Sequence, residues 1–119
     1  VDSQRPSVVI TSTAGASGGS TSTSPIPFTV TFSETVTGFV AGDITPGNAT
    51  ISGFSGSGTT YTFNATPTAN GAVTINVSAN IAQDAAGNSN TAASPFSITY
   101  GQIVTATPTV ANPADGSLI

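Results

Sequence analysis

The run Ile26-Pro-Phe-Thr-Val-Thr-Phe-Ser33 alternates large apolar residues with residues that mostly carry a hydroxyl group. Successive side chains of a β-strand point to opposite faces, so this period of two predicts a strand with one buried and one wet face. Threonine suits the wet face because its β-branched side chain is stiff and packs well on the pleat. The same alternation recurs at residues 59–66, 72–79 and 96–100.

Weaker apolar signals mark three more strands. Val8 and Ile10 indicate a first strand at about 7–12, and two others are expected at about 36–46 and 49–55. Stretches rich in glycine, proline and asparagine separate the runs, and no segment has a helical period. Seven short strands predict an all-β fold, a seven-stranded immunoglobulin-like antiparallel β-sandwich. Its core is expected to contain the following aromatic residues: Phe28, Phe32, Tyr61, Phe63 and Phe96.

The composition excludes many catalytic chemistries. The chain has no histidine, no cysteine and a single basic residue, Arg5. A histidine-based triad, a lysine Schiff base, a zinc site of Cys and His ligands and a lysine-bearing phosphate loop therefore all lack their residues. We predict that the protein is not an enzyme. The net charge of −4 also argues against nucleic acid and anionic membranes as partners.

The low charge content points to an extracellular protein. Charged residues make up 5% of the chain, whereas a cytosolic protein usually carries about a quarter. No apolar run reaches the length of roughly 18 residues that would span a membrane. The first residues have no signal-peptide pattern. We expect a fragment of a larger secreted or cell-surface protein.

Oxygen ligands are expected to gather at one pole of the sandwich. Since successive strands run in opposite directions, the start of the first strand, the end of the second and the loop before the last share that pole. Asp2, Glu34, Asp84 and Asn88 fall at these places. Calcium takes roughly six to eight oxygens, so we predict that these residues bind calcium with help from backbone carbonyls and water. The alternative is that Asp84 and Asn88 only cap turns and Glu34 is solvated. Asp43 is expected to order the connection after the second strand.

Four motifs, in order, resemble repeats of large bacterial surface proteins. They are Phe32-Ser-Glu-Thr-Val-Thr-Gly-Phe39, Gly42-Asp-Ile-Thr45, Phe54-Ser-Gly-Ser-Gly-Thr-Thr-Tyr-Thr-Phe63 and Asp84-Ala-Ala-Gly-Asn88. Over roughly residues 2–101 the chain is similar to the bacterial Ig-like domains of repetitive adhesins and biofilm-associated proteins. The resemblance implies a β-sandwich module, repeated as a stalk and often rigidified by calcium near domain junctions. It departs from the family at Thr35, where proline is usual, and at Gly42, where Asp or Ser is common.

The chain divides into two parts at the end of the last predicted strand. Residues 1–101 form the Ig-like domain. Residues 102–119 are interpreted as a linker and the truncated first strand of the next repeat. A second interpretation is that this tail is a donor strand that completes the sheet of a neighbouring molecule.

We therefore predict a non-catalytic structural or adhesive repeat whose partners are neighbouring Ig-like domains of the same chain. One alternative is an extracellular fibre subunit that self-associates through its C-terminal strand. Another is an accessory carbohydrate-binding module of a secreted hydrolase. This last alternative is weakened because nearly all aromatic residues occupy predicted inward positions.

Overall fold

The computed structural model describes residues 4–101 and shows two β-sheets packed face to face. Within this range the chain forms seven strands and one short 3-10 helix at Ala41–Asp43. The strands are β1 (Val8–Thr11), β2 (Ser20–Thr21), β3 (Ile26–Val36), β4 (Ile44–Gly47), β5 (Ala49–Pro67), β6 (Gly71–Val77) and β7 (Phe96–Tyr100). The predicted seven-stranded β-sandwich is confirmed. Asp2 and the tail 102–119 lie outside the described residues, so the boundary after residue 101 stays a prediction.

The two sheets divide the strands as an immunoglobulin-like sandwich does. One sheet has the order β1-β3-β5 and the other the order β2-β7-β6-β4. Neighbouring strands are antiparallel except β2, which runs parallel to β7. The sequence did not predict β2, because Ser20–Thr21 carries no apolar residue and lies in a stretch rich in glycine and serine.

The long element β5 folds back on itself. The hydroxyl oxygens of Ser55 and Thr62 lie 3.3 Å apart, whereas a straight strand would separate these residues by about 23 Å. At the other end, the Thr68 N–H donates to the Asn48 carbonyl at 3.0 Å. The arms correspond to the predicted strands 49–55 and 59–66. Gly56 sits between them with φ of +126°, a conformation that suits glycine.

The strand predicted at about 36–46 is wrong in its position. β3 continues to Val36, and β4 begins only at Ile44. Gly38 breaks the extended chain between them with φ of +88°. The Asp43 carboxylate then accepts from the Val40 N–H at 2.9 Å, and this bond closes the short helix. The expected role of Asp43 in ordering this connection is confirmed.

The core lies between the sheets and is rich in aromatic rings. Phe28 stacks on Phe63 at 5.3 Å and meets the edge of Phe96 at 5.1 Å. Phe32 and Tyr61 pack edge to face at 5.8 Å nearer the other end. All five predicted aromatic core residues are buried. Their packing holds β3, which carries Glu34 near its end, against the sheet that carries the β6–β7 loop.

Candidate metal centre in the β6–β7 loop

The β6–β7 loop, residues 78–95, is anchored to the segment that follows β3. Thr37 and Gln83 exchange two backbone hydrogen bonds of 2.8 and 3.0 Å. Gln83 also pairs with Ser89, so the loop doubles back between them. The tip contains Asp84-Ala-Ala-Gly-Asn88, where the Asp84 N–H donates to the Asn88 carbonyl at 3.0 Å. The pairing therefore brings this motif to the end of β3.

Asp84 organises the tip of the loop. One carboxylate oxygen, Oδ1, accepts from the N–H groups of Ala86 at 3.0 Å and Asn88 at 2.8 Å. The other, Oδ2, accepts from the Asn88 side-chain amide at 3.1 Å. Gly87 completes the turn with φ of +88° and donates its N–H to the Asp84 carbonyl. A short polar side chain that accepts from backbone N–H groups a few residues further along is the turn-capping arrangement expected of Asp at such a site.

The hydrogen bonds also govern the charge of Asp84. The side chain is only 6% exposed, and burial by itself would raise its pKa. The bonds from the Asn88 backbone, the Asn88 amide and the Ala86 N–H outweigh that effect, so the pKa of Asp84 lies below its ordinary value. A hydrogen bond with the Glu34 side chain acts in the same direction. The contact shows that the two carboxyl groups lie side by side.

The structure thus brings together three of the four predicted ligands, Glu34, Asp84 and Asn88. Glu34 lies near the end of β3 and is half-buried. Asp2 lies outside the described residues. Among residues 4–101, no three Asp, Glu, His or Cys side chains form a cluster that could hold a metal ion. Calcium binding therefore stays a prediction.

Arg5 is a residue of this pole that sequence reasoning left without a role. Its Nε donates to the Ser89 carbonyl at 2.8 Å. Its Nη2 donates to the Asn80 side chain and to the Asn90 carbonyl, both at 2.8 Å. In the sequence, the indication of this role is the position of Arg5 just before the first strand, because the start of that strand lies at this pole. Arg5 consequently ties the entry of the chain to the β6–β7 loop.

A comparison with known protein families agrees with this architecture. A family model described as the bacterial Ig-like domain matches residues 2–100. The chain belongs to the bacterial Ig-like domain family. The resemblance of its four motifs to bacterial Ig-like domains is thereby confirmed, and the motifs with Glu34 and Asp84 fall within the matched range. No curated protein and no solved structure matches the chain.

Membership has consequences for the class of protein. Bacterial Ig-like domains are generally non-catalytic structural modules and are typically extracellular or surface-associated. In the part of this Ig-like domain that the structure describes, no helix has the length and apolar character needed to cross a membrane. The exposed large apolar side chains there are aliphatic, Val9 and Val40. Sugar-binding surfaces built on stacking use aromatic rings. All aromatic rings of the described range except Tyr100 pack on one another in or against the core, and Tyr100 is partly buried against it.

Proposed function

We propose that this domain is an extender module that spaces and stiffens a longer secreted or cell-surface chain. The observation that carries the proposal is that the described chain enters at one pole and leaves from the other. Arg5 lies against the loop that joins the end of β6 to the start of β7. β7 then runs away from that loop to Tyr100, which pairs with Gly71 at the far end of β6. Domains connected through such ends add length along the strands.

Both ends are also bonded to the body of the domain. On the entry side, the Thr91 N–H donates to the Pro6 carbonyl at 2.9 Å, next to the bonds of Arg5. On the exit side, the Gly101 N–H donates to the Thr21 carbonyl at 3.0 Å. A junction stays stiff only if few free residues separate folded parts, because flexible residues add conformational freedom. The bonds at Pro6 and Gly101 support a stiff module.

Arrays of two, three and four copies of residues 1–101 test this proposal. If the domain is an extender, the maximum dimension from small-angle X-ray scattering should rise by a constant increment with each copy. The matched control is the same array with Arg5→Gln, which shortens the side chain and weakens the bonds at the entry, and should give a smaller increment. Arrays whose maximum dimension hardly grows with copy number would contradict the extender role.

We also propose that calcium binds at the pole of the β6–β7 loop, through Glu34, Asp84, Asn88 and Asp2. The supporting observation is the contact between the carboxyl groups of Glu34 and Asp84. The hydrogen bond between them needs a proton on one group, and when both groups are ionised they repel each other unless a cation lies with them. The only basic side chain, Arg5, gives its hydrogen bonds to Ser89, Asn80 and Asn90. A divalent cation with oxygen ligands fits this environment.

Thermal unfolding with calcium or with a chelator tests the calcium proposal. Extracellular modules bind calcium with a Kd of about 10⁻⁴–10⁻³ M, so millimolar calcium should stabilise the fold by about 0.4–1.4 kcal/mol. Asp84→Ala should abolish the response, whereas Asp43→Ala, which removes a carboxylate of the short helix before β4, should retain it. Identical unfolding curves of the parent protein in calcium and in chelator would exclude the site.

A further inference from the structure

β1 is an edge strand, and its outer edge is unpaired. The Ser33 N–H donates to the Ser7 carbonyl at 2.9 Å, so the odd-numbered residues of this part of the chain direct their backbone groups toward β3. Val8 and Ile10 consequently direct their N–H and carbonyl groups away from β3. Among residues 4–101, no hydrogen-bond partner approaches these outward groups. They open on a groove of about 240 Å³ between β1 and residues 94–96.

The other edge strands of the sandwich carry features that hinder strand addition. β4 contains Pro46, which lacks an N–H, and β2 is only two residues long. The first arm of β5 contains Gly53 with φ of +64°, which interrupts the extended backbone. β1 has no proline, glycine or charged residue, and its Val9 is 56% exposed. β1 is therefore the edge most open to pairing with another strand.

We propose that β1 pairs in the antiparallel direction with β1 of a second copy of this domain. If Val8 lies opposite Ile10 of the second copy, two-fold symmetry creates the same hydrogen-bonded pair again. Val9 then faces Val9 of the second copy at the axis, in a pair without hydrogen bonds, where side chains approach most closely. The self-pairing thus satisfies the outward groups of β1 and covers its exposed valine.

Charge does not oppose this contact, although the contact is small. The chain has a net charge of −4, but residues 6–33 contain no charged side chain. One pair of four-residue strands buries less than the roughly 1,200 Å² of a stable interface, so a single pair is weak. In a chain of connected repeats, several such pairs would act together and strengthen the association.

The antiparallel direction determines which chains can meet. β1 runs from the entry pole toward the exit pole, so two paired copies point in opposite directions. Extender chains anchored on facing surfaces can therefore pair through β1, whereas chains anchored side by side on one surface point the same way and cannot. This consequence rests on the proposed role as an extender, but the pairing of β1 itself does not.

A disulfide traps the weak contact for measurement. The chain has no cysteine, so Val9→Cys gives the full chain a single thiol at an exposed position. Facing residues without hydrogen bonds have Cα atoms about 4.5 Å apart, within the span of about 4.4–6.8 Å that a disulfide needs. Thr11→Cys, on the same face of β1, is the matched control. In the proposed pairing the two Thr11 positions lie about 14 Å apart along the strands.

The measurement is the rate of covalent dimer formation with oxidised glutathione, followed by non-reducing electrophoresis. Two thiols of two chains become one disulfide while the glutathione disulfide is reduced to two thiols. We expect Val9→Cys to form the dimer several-fold faster than Thr11→Cys. Equal rates would overturn the inference. Such a result would leave the extender proposal standing, because the length of an array does not depend on the edge of β1.

Competition by chains without cysteine identifies the surface that binds. An excess of the parent chain should slow the trapping of Val9→Cys. An excess of Val9→Lys should not, because the pairing would press the charge against the facing side chain. Thr60→Lys, on the same outer face but on β5, is the control and should compete like the parent. Competition by Val9→Lys as strong as that of the parent would overturn the inference.

The other possible occupant of this edge is the tail 102–119 of a neighbouring molecule. All strands of the described fold lie within residues 1–101, so trapping of Val9→Cys should persist in a chain that lacks the tail. Loss of the trapping in this shortened chain would assign the edge to the tail and overturn the pairing of β1 with β1.

Discussion

At the residue scale, Asn90 supports the interior of the β6–β7 loop. Its side chain is fully buried. The amide oxygen accepts from the N–H groups of Ile81 at 2.9 Å and Ala82 at 3.0 Å. The amide nitrogen donates to the carbonyls of Ser78 at 3.1 Å and Thr91 at 2.8 Å. One side chain thus satisfies backbone groups at both ends of the loop, as buried polar groups require.

We expect Asn90→Ala to lower the free energy of unfolding by about 3 kcal/mol or more. The substitution leaves two N–H groups and two carbonyls without this partner, and each buried unsatisfied group costs about 1–3 kcal/mol. Denaturant unfolding measures the change. The control is Asn76→Ala on the outer face of β6, which should stay within about 0.5 kcal/mol of the parent. A loss at Asn90 no larger than at Asn76 would contradict the role assigned to its bonds.

The lowered pKa of Asp84 makes a prediction about acid. Because the carboxyl group is more acidic in the folded state than in the unfolded state, the folded state binds fewer protons. Its stabilising contribution is present above the unfolded pKa and is lost as the pH falls through the folded pKa. Asp84→Asn should therefore make the stability less dependent on pH in the acidic range. Denaturant unfolding across a pH series, with chelator present to exclude metal release, measures this slope. An unchanged slope would contradict the prediction.

At the scale of secondary-structure elements, β3 and β5 form the centre of one sheet and supply most of the aromatic core. Phe28 of β3 pairs in register with Phe63 of β5, and their rings stack. The outer faces of the same strands carry threonines, with Thr29 opposite Thr62 and Thr31 opposite Thr60. A slip by one residue would exchange these faces, so the alternation strongly specifies the register.

We expect Phe32→Ala and Phe63→Ala each to cost about 3–5 kcal/mol of stability, since both side chains are 2% exposed and their removal leaves a cavity. Chemical denaturation of the two variants measures the cost. Thr31→Ala and Thr62→Ala, on the exposed face of the same strands, are the matched controls and should stay near the parent. Phenylalanine variants as stable as these controls would show that the rings do not anchor the core.

At the scale of the whole molecule, the last strand, β7, has partners on both sides within the described range. β7 pairs with β6 on one side and with β2 on the other, and Gly101 already bonds to Thr21. The sheet that contains β7 therefore places it between two partners from residues 4–101. The pairing of β7 is therefore complete without residues 102–119, as expected if they are a truncated repeat.

We expect deletion of residues 102–119 to leave the fold and the melting temperature intact, as the truncated-repeat interpretation requires. Circular dichroism melts and sedimentation of the full chain and of residues 1–101 make the comparison. A deletion of residues 111–119 alone, which retains the alternating run 103–110, is the control. If the full deletion unfolds the domain or dissolves a polymer that the control retains, the tail is a donor strand and the protein is a fibre subunit.

The sequence alone predicted those features that depend on local patterns. The period of two located β3, β6, β7 and the second arm of β5, because alternating burial is visible in consecutive residues. Weaker apolar signals located β1 and the first arm of β5. Because successive strands run in opposite directions, counting the strands then placed Glu34, Asp84 and Asn88 at one pole. The aromatic core followed from the same phase of alternation.

Only the tertiary structure decided the features that depend on contacts between distant residues. Ser20–Thr21 is a strand because it bonds to β7, about 80 residues away, and not because of its own composition. The shift of β4 to Ile44–Gly47 depends on where Gly38 breaks the chain and Asp43 closes its turn. Arg5 bonds to carbonyls more than 80 residues distant. Backbone carbonyls and N–H groups are present in every residue, so no sequence pattern indicates which of them will be partners once the sheets have packed.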